Sequence, residues 1–143
     1  MSYKEWLIQH GEKHKKIVAK LIILGYNKKQ IIEYFDYENM RLCEEDFCLL
    51  YAENKKCHEM QNLNCYLCAC PNFRFLDDGM VTLEGNTVYS MCSIGSIEGK
   101  QQNFDGKIHQ DCSRCTIPHE KDCIEKEFDI NWLSIMKDCE IKR

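Results

Sequence analysis

The sequence predicts a small α+β protein whose second half is stapled by metal. Three observations carry that prediction. The first third is lysine-rich and patterned for helices. From Cys57 onward, turn signals alternate with short β-prone pieces. Eleven of the 143 residues are cysteine, several times ordinary usage. Together they predict an N-terminal helical subdomain (1–46), a loop-rich cysteine domain with a short β-hairpin (47–120) and a C-terminal helical extension (121–143). Hydrophobic residues make up 44% of the chain, enough for a core, while 29% charged residues and a mean hydropathy of −0.50 suit a soluble domain.

In residues 3–24 the apolar positions are Trp6, Leu7, Ile17, Val18, Leu21, Ile22 and Leu24, with lysines between them, a spacing that predicts an amphipathic helix ending at Gly25. His10 and His14 are read as surface residues of that helix. Asn27 followed three residues later by Gln30 has capping-box spacing for a second helix. A third is predicted from Asp36 to about Glu53, with Met40, Leu42, Cys43, Phe47 and Leu50 turned inward.

Further along, "MVTL" and "TVYSMCS" flank Glu84-Gly85-Asn86 as a hairpin. Segment 93–111 has little apolar content and is read as a loop. A helix follows Pro118 through Ile124 and Phe128, and "NWLSIMKDCEI" reads as a terminal helix capped by Asn131.

Charge excludes one class of function. Residues 1–30 hold seven lysines against Glu5 and Glu12, net +5, so the remainder of this −4 chain sums to −9. Such a balance does not suit a protein that coats nucleic acid. The segment "KKQIIEYFDYE" would set acidic residues against phosphate, so helix-turn-helix reading of DNA is not expected either. The opening "MSYKEWLIQHGEKHKK" has no apolar leader pattern, and the longest apolar run, "LIIL", is too short for a bilayer. The expectation is a cytoplasmic chain with another protein as its partner and no membrane contact.

In a reduced compartment, thiols are better read as metal ligands than as disulfides, and eleven is an odd number to pair. Two knuckles stand out: Cys65-Tyr-Leu-Cys68 and Cys112-Ser-Arg-Cys115. Each turn aims two thiolates at one ion, and two such turns complete a four-thiolate shell. The expectation is that these four share an ion. Cys70 lies one residue past Cys68 and serves elsewhere. Cys48, Cys57, Cys70 and Cys92 supply a second shell, for which His119 can replace one thiol. His58 and His109 are weaker candidates. Cys43, Cys123 and Cys139 fall in helical segments and read as small buried hydrophobes.

The segments "DFCLLYAENKKCHEM", "LNCYLCACPNFRF" and "IHQDCSRCTIPH" resemble the cysteine-rich small domain family, a zinc-finger-like group of presumed metal-binding proteins. The resemblance spans roughly residues 46–120. It maps onto Cys48, Cys57, His58, Cys65, Cys68, Cys70, Pro71, Cys92, Cys112, Cys115, Pro118 and His119. It implies metal binding without an established reaction. This chain departs from the pattern at His58, which follows Cys57 directly, and at Phe73 and Phe75, where some members carry a cysteine.

Two functions follow. In the first, two zinc ions fold the cysteine domain, and the helices dock a protein partner. Closed four-ligand shells leave no position for water. In the second, the same thiolates hold [4Fe-4S] clusters for electron transfer or redox sensing. A thiol enzyme would need a low-pKa cysteine outside the shells, and none stands out. "HGEKH" fails the zincin pattern, because Gly11 stands where the glutamate belongs. No catalytic residue is assigned.

Overall fold

The computed structural model describes residues 2–141, and its α+β architecture agrees with the sequence reading. Helix α1 spans Tyr3–Ile23 and begins at a full capping box, in which the Ser2 hydroxyl accepts from the Glu5 amide and the Glu5 carboxylate accepts from Ser2. It stops where Gly25 turns left-handed at φ +84°, letting the Tyr26 amide reach back to the Leu21 carbonyl. Helix α2 (Lys28–Tyr34) carries the expected Asn27–Gln30 box.

The third helix is shorter than predicted. Helix α3 covers Tyr37–Cys43, and a separate 3-10 turn covers Leu49–Glu53. The interruption reverses part of the inward list. Met40 and Phe47 are buried, whereas Leu42 and Cys43 face solvent.

Six short strands follow: β1 (Phe73–Phe75), β2 (Val81–Leu83), β3 (Asn86–Val88), β4 (Ser90–Cys92), β5 (Lys100–Phe104) and β6 (Lys107–Asp111). The predicted hairpin is β2–β3, in register Val81 to Val88. Its second half, however, splits at Tyr89. Strand β3 pairs in parallel with β6 in a sheet ordered β2-β3-β6-β5, and β4 pairs with β1 in a separate ribbon. The segment read as a loop is the β5–β6 hairpin, closed by Asp105 and Gly106 at φ +56° and +79°, the signs that a two-residue hairpin turn requires. Helices α4 (Lys121–Glu127) and α5 (Trp132–Ile135) close the chain, the latter with Asn131 accepting from the Leu133 amide.

The main core does not divide at the expected subdomain boundaries. Ile17, Val18 and Leu21 of α1, Ile31 and Ile32 of α2, Phe35 and Met40 pack against Leu63, Tyr66, Leu67 and Ile124. The first cysteine knuckle therefore runs through the core. Asn64, fully buried, fixes it there: its amide donates to the Ile32 carbonyl (2.7 Å) and to Asp36 Oδ1 (2.8 Å), while its side-chain oxygen accepts from the Tyr66 amide. A smaller cluster joins Leu7, Phe75, Trp132, Met136 and Cys139.

His10 and His14 are buried, contrary to the surface reading. Positions 7, 10, 11, 14, 17, 18 and 21 form one helical stripe, and both histidines lie on it. His10 stacks on Trp6 at 4.9 Å, and His14 stacks on Phe35 at 4.7 Å. Burial lowers their pKa values to about 4 and about 3, so both rings are neutral.

Candidate metal centre

All eleven cysteines are free thiols, and eight of them line two cavities. The division differs from the one expected of the knuckles. The thiols that act on Cys68 are Cys65, Cys57 and Cys48. Those acting on Cys70 are Cys112, Cys115 and Cys92. By the walls they share, Cys48, Cys57, Cys65 and Cys68 form a first set and Cys70, Cys92, Cys112 and Cys115 a second, with Cys57 and Cys68 also reaching the second cavity.

The backbone explains the split. The first knuckle turns with the Cys68 amide on the Cys65 carbonyl at 3.3 Å. Ala69 and Cys70 then both take left-handed conformations, φ +87° and +62°, which cost of order 1–3 kcal/mol each in residues other than glycine. Past that kink Cys70 lines the larger cavity with Cys92, at the end of β4, and the second knuckle, and it does not reach the smaller one that Cys68 also lines. Two residues apart in sequence, Cys68 and Cys70 serve different sets.

The first set surrounds a small cavity of about 40 Å³, closed by Tyr37, Phe47, Tyr51, Leu63 and His119. Tyr51, which was not singled out in the sequence, brings to this wall a buried hydroxyl that has no hydrogen-bond partner among the described residues. His119 sits in a short 3-10 turn, Ile117–His119, with Nε2 3.5 Å from the Cys57 sulfur and Nδ1 donating to the Asn64 carbonyl at 2.7 Å. Burial, and secondarily the neighbouring His58, lower its pKa to about 4, partly opposed by the Asn64 hydrogen bond.

The second set opens on a larger cavity of about 250 Å³, whose walls also include Tyr3, Phe73, Ile94, Ile117, His58 and His119. Ser96 lies 3.5 Å from the Cys115 sulfur. Tyr3 lines this cavity, and its phenol pKa is raised by burial and then by Cys139, Cys68, Cys70 and Cys112.

The donor chemistry fits metal. Burial, then Cys48, raise Cys57 to about 11, while burial raises Cys65 and Cys70 to about 12. Cys112 rises to about 11 through burial and then Cys115 and Cys92. Thiols raised in this way carry their protons at neutral pH, and a bound cation would favour their thiolate form.

His109 stacks on Tyr89 at 5.2 Å, outside both sets. Of the three cysteines assigned to packing, Cys139 is buried, Cys123 is half-buried and Cys43 is exposed. Among the described residues no helix is long and apolar enough to cross a membrane. Comparison with family models, curated proteins and solved structures finds no match for this chain.

Proposed function

We propose that this chain is a thiolate metalloprotein with two neighbouring centres, one held by Cys48, Cys57, Cys65 and Cys68 and the other by Cys70, Cys92, Cys112 and Cys115. The observation that carries the reading is that eight thiols line two neighbouring cavities. The likeness to the cysteine-rich small domain family points the same way.

Zinc is the proposed occupant of both, and its role is structural. The first set encloses about 40 Å³, room for an ion rather than a cofactor, and has a histidine at its edge. The second set ties together a part of the chain with little core of its own: β5 is exposed along its whole length and Ile108 is the one buried residue of β6. Metal supplies there the cohesion that apolar burial does not. The role in a cell is that of a metal-folded docking module for a protein partner in the cytoplasm.

One observation favours an iron–sulfur protein instead. Among the described residues no three thiols lie within 4.8 Å of one another. A single zinc with bonds of about 2.3 Å draws tetrahedral sulfurs to about 3.8 Å apart. A cluster of several metal atoms holds its thiolates farther apart and gives redox chemistry. Elemental analysis with an absorption spectrum of protein purified without oxygen separates the two. Two zinc ions per chain and no visible absorption support the structural reading. A brown, oxygen-bleachable sample with iron and acid-labile sulfide overturns it in favour of electron transfer or redox sensing.

A further inference from the structure

We infer that Cys57, His58 and His119 form a third, open metal position at the rim of the first thiol set, with its free coordination side facing the larger cavity. The inference rests on the two-centre reading only in that the Cys57 sulfur is then shared between this position and the first centre.

Convergence is the first ground. One ligand atom from each of the three residues lies within 4.8 Å of the other two, the only such group among the described residues. The two imidazole rings are 4.8 Å apart, and His119 Nε2 is 3.5 Å from the Cys57 sulfur.

Preorganisation is the second. His119 Nδ1 is 2.7 Å from the Asn64 carbonyl oxygen, and His58 Nδ1 is 2.8 Å from that of Ser113. A carbonyl only accepts, so both Nδ1 atoms carry the proton and both Nε2 lone pairs are left to ligate. A backbone carbonyl holding the far nitrogen is the arrangement that orients metal-bound histidines. Asn64 is itself buried and clamped by Ile32 and Asp36, so His119 is anchored through the core.

Openness is the third. Cys57, His58 and His119 line the 250 Å³ cavity together with Ile94, Ile117 and Phe73. Three protein ligands with a fourth side open to a space of that size make the coordination pattern of an exchangeable or reactive zinc, in contrast to the closed shells. The mixed nitrogen and sulfur set suits borderline divalent ions such as Zn²⁺ and Co²⁺. Water or a small anion would complete the shell.

The test starts from the zinc-loaded protein, freed of loose metal by gel filtration, to which Co²⁺ is added while released zinc is measured. One equivalent of cobalt should bind with tetrahedral visible bands and without releasing zinc, and azide should shift those bands. His58→Ala removes a half-buried side chain and leaves the fold intact. It should weaken the added equivalent by about tenfold or more, the scale seen when even supporting groups of a metal site are lost. His58→Cys, which restores a ligand, should recover binding. No added equivalent, an equivalent that displaces zinc, one insensitive to azide, or one unchanged in His58→Ala overturns the inference. Failure of the two-centre reading shows separately, in the zinc content of the gel-filtered protein before cobalt is added.

Discussion

Replacing His14 by phenylalanine should flatten the acid side of the stability curve. The His14 ring is buried between Phe35 and Tyr66, with Nε2 donating to the Tyr66 carbonyl at 3.1 Å and Nδ1 lacking a partner among the described residues. Burial, then His10, lower its pKa to about 3 against an ordinary 6.5. Between those values the unfolded chain binds the proton and the folded chain does not. Stability therefore rises with pH across this window and is lost as pH falls through 6.5. From pH 7.5 to pH 5.5 the unfolded imidazole gains about 1.4 kcal/mol of protonation free energy, which the native ring does not share. His10, lowered to about 4, adds a comparable amount. The assay is urea unfolding of the wild-type protein and of His14→Phe at both pH values, with zinc held constant. Loss of the Tyr66 partner should lower the variant's stability by about 1–3 kcal/mol at pH 7.5. The drop between the two pH values should be smaller in the variant by about 1.4 kcal/mol. Parallel pH profiles would refute the argument, because they would mean that His14 titrates alike in both states.

Three further outcomes follow from the packing. Single alanine replacements of Cys43, Cys123 and Cys139 should leave metal content unchanged, and only Cys139, at 1% exposure, should cost measurable stability, about 1–2 kcal/mol by thermal unfolding. Asn64→Ala removes the amide that ties the first knuckle to Ile32 and Asp36, so it should destabilise by about 2–3 kcal/mol; a stability within error of wild type in urea would contradict that role. Gly79→Ala places a Cβ against Thr87 Cγ2 at a φ of +92°, and its melting point should fall by several degrees, about 1–3 kcal/mol, while metal content stays level.

What was legible in the sequence was whatever a local rule controls. The Asn27–Gln30 box, the left-handed Gly25 stop, the β2–β3 hairpin and the Asn131 cap all appear where the residues place them. That the eight candidate cysteines come near one another was legible too, since they line two neighbouring cavities with His119 beside Cys57. Their partition was not. Cys-x-x-Cys spacing says that two thiols face one point, but not which other pair faces it, and that depended on left-handed backbone at Ala69 and Cys70. The β5–β6 hairpin was hidden because β5 buries no face, so alternation is absent; its one signal was the Asp105-Gly106 turn. His10 and His14 were misplaced because polar letters among lysines masked a regular stripe. Tyr51 and Tyr3 line the thiol cavities from across the fold, and nothing near them in sequence announces it.

Metal content of Cys65→Ser, Cys112→Ser and the double variant tests the partition most directly. Each single variant removes one knuckle thiol from a different set, so each should lose one of two tightly held ions, and the double variant should lose both. If the two knuckles shared one ion, the double variant would lose no more metal than either single variant, and the two-centre account would be wrong.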